Sequence, residues 1–334
     1  MAQSATRELS KTAAVKVALV EDAFHHEALF YRGEDGFLQG TLPFIADALA
    51  ADQAVLVAVG EQRAHLLRRA LGEDAGRVRF LEVSELGRNP ARVIPAWRKF
   101  LAESAAEGRS VCGIGETAWP NRSAAELEEC RRYEALLEQA FAAGPSWRLL
   151  CPYDLDALDA ETIEAARASH RTAMHEGVSR RNSAYRPLHG APFAGSLASP
   201  PAEHEELAFT AHGLGAIRSL VAQQGARAGL AEISREDLVL AVNELVTNSV
   251  QYGGGGGTLR IWREPDVLVC EVRDRGFIRD PLAGRLPPPV DQYGGRGLWL
   301  VNQLCDLAQI RSSPDGTTVR VRMRLDAPEL DAAA

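Results

Sequence analysis

Glu244 and Asn248 stand four residues apart in "NELVTNSVQYGGGGG", residues 243–257, a run that passes from an apolar-periodic stretch into five glycines. Residues four apart on a helix lie about 40° from one another around its axis. Glu244, Thr247, Asn248 and Gln251 therefore form one polar stripe, while Leu238, Val242, Leu245 and Val246 face inward. Three further features follow in order. "VLVCEVRDRG" ends a strand-like run with Asp274, then Arg275 and Gly276. An aspartate at a strand end can accept a hydrogen bond from an exocyclic amine, and the glycine lets a flat ring lie against the backbone. Gly295 and Gly297 open the apolar helix of "GGRGLWLVNQL", whose free backbone amides make an anion site. Thr317 enters the last strand in "DGTTVRVRM", placing a hydroxyl near the same ring edge as Asp274. Taken singly, each has an ordinary explanation: a solvated helix face, a turn, a helix start, a β-branched strand residue. In this order they describe a nucleotide site.

The elements that position these residues follow a stretch rich in proline, glycine, serine and alanine, "PLHGAPFAGSLASPP", which reads as a linker over about 187–205. Helical patterns come next, around 206–224 and 235–252, and then strand-like "TLRIWR" and "VLVCEVRD". The irregular "GFIRDPLAGRLPPPVDQYGG" is expected to behave as a lid-like loop before the short helix from Gly297 and two closing strands. The last strand alternates Val319, Val321, Met323 and Leu325 against Arg320, Arg322 and Arg324, so one sheet face is expected to be buried and one wet. Helices on one side of a mixed or antiparallel sheet make an α+β two-layer sandwich over 206–326. The five glycines are expected to end the Asn248 helix abruptly, their number being incidental slack.

With these motifs in place, residues 206–325 resemble the ATP-binding domain of the GHKL (Bergerat) superfamily, and within it the anti-sigma-factor serine/threonine kinases. "NELVTNSVQYG" corresponds to the family's N box, "DRG" to its first glycine box and "GGRGLWLV" to its second. The resemblance implies that Glu244 is the general base, that Asn248 holds Mg²⁺, and that Asp274 reads the adenine amine with Gly276 beneath the ring and Thr317 in support. Gly295 and Gly297 would cradle the phosphates of ATP. Ile278 stands where the family has a second glycine, which would stiffen that wall of the site. The implied partners are a STAS-type anti-anti-sigma protein, phosphorylated on serine or threonine, and a sigma factor; a homodimer is compatible with the family. Two other readings are a sequestering module that holds ATP without turnover and a histidine kinase phosphorylated on His212. His212 lacks the flanking residues of an H box, and only one helix precedes the N box, which disfavours the latter.

Upstream, nearly continuous apolar runs at 54–60, 77–83, 110–116 and 147–154 read as strands covered on both faces. Amphipathic helices separate them; in the clearest, Ser123 and Glu126 form a capping box and Gly144 is the expected C-cap. Alternation of this kind implies an α/β domain with a parallel sheet. No P-loop is present, because none of the three lysines, Lys11, Lys16 and Lys99, follows a glycine. Residues 18–180, with "HHEALFYRGEDGFLQG", "GIGETAWP" and "CPYD", resemble the MEDS sensory domain, a degenerate RecA-like module of bacterial regulators. That resemblance implies a small-molecule signal. Glu116, Trp119, Tyr153 and Asp154 follow strands at their carboxyl ends, where open sheets of this kind place ligands, and Arg32, Tyr31, His25 and His26 are candidates to join them. Strand capping and mutual pairing would explain the same residues equally well.

Bulk properties narrow the class. A chain of 334 residues accommodates two domains, and a formal net charge of -8 argues against direct nucleic-acid binding. The cysteines Cys112, Cys130, Cys151, Cys270 and Cys305 are scattered, without the local spacing of a zinc site or redox dithiol, and are expected to be reduced thiols of a cytoplasmic protein. No secretory signal is evident, and no run approaches the ~18 apolar residues of a membrane span.

Overall fold

The computed structural model describes residues 24–175, 178–186, 193–288 and 295–325. Its first half is a seven-stranded sheet of order β3-β2-β4-β5-β1-β6-β7, built from β1 (Phe24–Tyr31), β2 (Ala54–Val59), β3 (Val78–Glu82), β4 (Val111–Gly115), β5 (Trp147–Asp154), β6 (Thr172–His175) and β7 (Val178–Arg181). All neighbours are parallel except β6 and β7. Side chains on a strand alternate between faces. On β2, Ala54, Leu56 and Ala58 enter one core with Trp97 and Tyr133, while Val55, Val57 and Val59 enter another with Phe37 and Ile45. The helices α4 (Val93–Ala106), α5 (Ala124–Phe141) and α6 (Ala160–Ser169) cover the first face; α1 (Gly33–Ala50) and α2 (Glu61–Leu71) cover the second, with a short α3 (Val83–Leu86) between. The four expected strands and the Ser123–Glu126 capping box are present. The C-cap of α5 is Ala142 rather than Gly144, whose amide only reaches back to the Phe141 carbonyl.

The second half is an antiparallel sheet of order β11-β12-β10-β9-β8, with β8 (Glu205–Thr210), β9 (Gly256–Arg263), β10 (Val267–Asp274), β11 (Leu307–Ser313) and β12 (Gly316–Arg324). The helices α7 (Leu214–Ala228), α8 (Glu232–Tyr252) and α9 (Gly297–Leu304) bury Ile217, Val221, Leu238, Val242, Leu245 and Val301 against one face. Residues 206–210, expected to be helical, are instead the edge strand β8; Leu207 and Phe209 at period two point into the core.

Two further expectations need correction. Residues 193–200 are not a loose linker: Phe193 is buried in the second core, its carbonyl accepts from Ser312 N, and the Ala198 carbonyl accepts from Arg320. The arginine face of β12 is not uniformly wet either. Arg320 is buried and pairs with Glu271, beneath Trp262, because the returning chain covers that side of the sheet.

The two halves meet through charged groups taken out of water. Glu129 on α5 accepts from Arg311 of β11 at 2.8 Å and lies 3.5 Å from the Arg285 guanidinium; all three side chains are no more than 4% exposed. Arg92 donates to the carbonyls of Asn302 and Cys305, and Asn89 to Asn302, satisfying the otherwise open C-terminus of α9. Leu282 and Leu286 pack on the first core. The part of the expected lid that the structure describes is thus docked on the α/β domain; residues 289–294 lie outside the described residues.

Burial works to raise the Glu128 carboxyl, but Arg311 and Arg132 outweigh it and hold it below its ordinary value. A carboxylate depressed on folding stabilises above its unfolded pKa, and that contribution is lost as pH falls through the folded one. This seam therefore weakens on acidification. Glu129→Leu leaves two buried guanidiniums short of their carboxylate and is expected to lower stability by about 3–5 kcal/mol in denaturant unfolding; a loss below about 1 kcal/mol would show that they find other partners.

Candidate functional site

Helix α8 makes two close contacts at glycines. At its end, a Cβ added to Gly253 would stand 2.5 Å from Asp274 Cγ and 2.7 Å from the Ser249 carbonyl, so the chain passes Asp274 only as glycine. Gly254 and Gly255 then take φ of 90° and 91°, in the region that disfavours side chains. The glycine run is a geometric requirement rather than slack. On the polar face, a Cβ on Gly297 would lie 2.9 Å from both Glu244 Oε2 and Asn248 Nδ2. The N-box side chains and the first turn of α9 are therefore in direct apposition. Gly295, with φ 79°, turns the chain into that helix.

Asp274 is held from two sides. Ser249 Oγ donates to its Oδ2 at 2.6 Å, and the Gly276 amide donates to its Oδ1 at 2.7 Å. Asp274 and Thr317 are register partners in the β10–β12 ladder, and Thr317 Oγ1 donates to the Gly276 carbonyl at 2.8 Å. Ser312 lies 2.7 Å from Thr317 Oγ1 and accepts from the Ile278 amide at 2.8 Å. The segment after Asp274 is thereby pinned to the sheet, Ile278 included.

Thus Glu244 and Asn248 meet Gly297, while Asp274, Gly276 and Thr317 share one hydrogen-bond network, and Ser249 joins the two groups. Sequence reading missed Ser249 and Ser312. Ser249 has a legible signal: it occupies the next position of the apolar stripe formed by Leu238, Val242 and Leu245, where a polar side chain needs a partner. A groove of about 520 Å³ lies beside Gly254–Gly257 and shares Asp274 with this network, its other lining including Arg260, Arg273 and Arg275. Glu244, Asn248, Gly295 and Gly297 do not line it. His212 is exposed on a single 3-10 turn, Ala211–Gly213, ahead of α7 rather than within a helix.

In the α/β domain the expected residues separate. Glu116 and Asp154 come together through Arg63, which donates at 2.6 Å and 3.1 Å respectively. Burial raises the Glu116 carboxyl against the pull of Arg63 and the Gly60 amide. Arg63 also lies over the Tyr31 ring, and burial raises the Tyr31 hydroxyl beyond its ordinary value. Arg32 instead pairs with exposed Asp156, and Trp119 stacks on Arg122. Tyr153, one residue from Asp154 and so on the other face, points into the core toward His170. There a second constellation forms that local spacing did not reveal: His26, Glu134, Cys151 and His170, all buried. Burial and the neighbouring His26 push His170 down to about 3, so that its imidazole is neutral at physiological pH. All five cysteines are free and buried. Among the described residues, no helix is long and apolar enough to cross a membrane.

The chain thus joins a largely parallel α/β domain to an antiparallel α+β sandwich that carries this glycine-lined site. Residues 25–171 match the family model of MEDS, the methanogen/methylotroph, DcmR sensory domain, and residues 207–323 that of the histidine kinase-like ATPase domain. The chain is a MEDS domain fused to a histidine kinase-like ATPase domain. No curated protein matches it. Among solved structures it is similar to the RsbU and RsbW domains of Rv1364c from Mycobacterium tuberculosis, at 18% identity over 37% of this chain and 32% of that one, TM-score 0.28. It is also similar to the Acinetobacter baumannii histidine kinase AdeS, at 12% identity over 37% of this chain and 68% of that one, TM-score 0.23. The chain spans about a third of the first of these proteins. At such scores neither likeness bears on activity.

Gly253→Ala is expected to lower stability by about 1–3 kcal/mol, the cost of overpacking against Asp274. Denaturant unfolding measures it; an unchanged midpoint would mean that the helix end yields freely.

Proposed function

We propose that the chain is an ATP-dependent regulator that phosphorylates a serine or threonine of a STAS-type anti-anti-sigma partner, thereby controlling a sigma factor, under the influence of a small-molecule signal at the MEDS domain. The single observation that carries the ATP site is the close approach of Glu244 and Asn248 to Gly297, where an added Cβ would lie 2.9 Å from each. It leaves a carboxylate, an amide and free helix amides converging where a triphosphate would lie, and a side chain at Gly297 would fill that space. The half-buried carboxylate of Asp274 suits adenine: its oxygens already accept from Ser249 and the Gly276 amide, which fixes the carboxylate and leaves lone pairs for an exocyclic amine.

Asn248 offers an oxygen ligand for Mg²⁺, which when bound neutralises phosphate charge. The amides at the start of α9 orient the phosphates. Glu244 takes the proton of the attacking hydroxyl as the γ-phosphoryl group passes from ATP to the partner's oxygen, leaving ADP. Positioning and electrostatics supply most of the catalysis in such transfers. Docking of the 279–286 segment and Arg285 on α5 supports control of the site by the α/β domain.

With Mg-ATP and a STAS protein, Glu244→Gln is expected to cut phosphate transfer at least a hundredfold, in line with the loss of a general base, while nucleotide still binds. Transfer that persists would remove Glu244 from that role. Asn248→Ala is expected to weaken magnesium-dependent nucleotide binding, measured calorimetrically; unchanged affinity would place the metal elsewhere. If the wild-type chain binds ATP yet transfers no phosphate to any such partner, it acts as a sequestering module instead.

A further inference from the structure

The polar cluster inside the MEDS domain has the composition of a metal centre. His26 comes from β1, Glu134 from α5, Cys151 from β5 and His170 from the end of α6. Their exposures are 5%, 4%, 1% and 0%, and the core around them is apolar and aromatic. One potential ligand atom from each lies within 4.8 Å of all the others. Individual separations are 3.0 Å from His26 Nε2 to Glu134 Oε2, 3.2 Å from His26 Nε2 to Cys151 Sγ, 3.6 Å from His170 Nε2 to Glu134 Oε2, and 4.0 Å from Cys151 Sγ to Glu134 Oε2. Zinc–nitrogen and zinc–oxygen bonds of ~2.0–2.1 Å and zinc–sulfur bonds of ~2.3 Å give tetrahedral edges of roughly 3.3–3.6 Å. The four donors already bracket that spacing.

The surroundings orient the donors toward a common centre. His170 Nδ1 donates to the Ala166 carbonyl at 2.7 Å, which leaves Nε2 as a bare lone pair, buried and without a hydrogen-bond partner. That arrangement, one ring nitrogen on a backbone carbonyl and the other facing the cluster, is how ligating histidines are held. Thr117 Oγ1 donates to Glu134 Oε1 at 2.6 Å, fixing the carboxylate with Oε2 turned inward. Burying a carboxylate, a thiol and two imidazoles in an apolar core is costly without compensation. A thiolate, a carboxylate and two neutral imidazoles around a divalent cation sum to zero charge, which removes most of that cost.

We propose that His26, Glu134, Cys151 and His170 bind a divalent cation of the zinc type. The mixed sulfur, nitrogen and oxygen set suits zinc over magnesium or calcium, which take oxygen ligands. Binding breaks the Cys151 S–H bond and releases its proton to solvent. Beside the cluster, a cavity of about 20 Å³ is lined by Thr117, Glu134, Tyr153, Thr162 and Ser169. It has room for one water-sized ligand next to the metal.

The test uses the full chain, freed of nucleotide. Elemental analysis after purification is expected to find about one zinc per chain. Replacement by cobalt should give a thiolate-to-cobalt charge-transfer band. Cys151→Ser is expected to abolish that band, and His170→Gln to weaken cobalt binding at least tenfold. Cys270→Ser, which removes a buried thiol from the core of the second domain, should change neither. Should Cys151→Ser fail to fold, the His170→Gln affinity decides alone. A chain that neither retains zinc nor binds cobalt, a band that survives Cys151→Ser, or unchanged cobalt affinity in His170→Gln overturns the assignment.

Discussion

The second domain is organised around one constraint: α8 must lie flush against both the end of β10 and the start of α9. Gly253 meets the first, where a Cβ would strike the Ser249 carbonyl and the root of Asp274, and Gly297 the second, where a Cβ would meet the movable ends of Glu244 and Asn248. With α8 so placed, Glu244 and Asn248 stand beside the first turn of α9 while remaining partly exposed. Ser249, turned the other way, locks Asp274. A helix displaced outward by one side chain would separate these groups and leave Asp274 with the Gly276 amide alone. Close packing of the backbone therefore does what the individual polar residues cannot do by themselves.

The same economy of space governs the seam between domains. The face of the second sheet away from its own helices is not left to water. Residues 193–200 and α5 close over it, and Arg311 and Arg285 meet Glu129 there. Helix α5 has a double role in this geometry. Glu128 and Glu129 reach the ATPase sheet and the 279–286 segment, and Glu134, little more than a turn further along, enters the buried His26–Cys151–His170 cluster. Any change in the position of α5 is thus felt at both ends.

Much of this was legible from local pattern. Continuous apolar runs announced β2 to β5, the alternation of β12 announced a sheet with a helix-covered face, and the Ser123–Glu126 pair announced α5. Residues carrying the N-box and glycine-box likeness were found because their spacing is short and ordered. What stayed hidden depends on tertiary contact. Strand β8 buries only Phe209 fully, so its period of two is too brief to outweigh a helical reading. The 193–200 stretch has composition typical of a tether, yet its carbonyls are accepted into the sheet and Phe193 into the core. His26 meets Cys151 from 125 residues away and His170 from farther still, so no spacing rule could join the four. The burial of Arg320 likewise follows from what covers its face, not from its own alternation.

We propose that Gly297 is glycine so that a nucleotide's phosphates can reach the start of α9 beside Glu244 and Asn248. Calorimetric titration of Mg-ATP into the full chain and into Gly297→Ala tests it most directly. The groups a new Cβ would meet are the ends of flexible side chains, so folding stability should hardly change. The account predicts one nucleotide bound by the wild-type chain and an affinity at least tenfold weaker in the variant, about 1.4 kcal/mol. Equal affinity in the two proteins, or no binding by either, would contradict it.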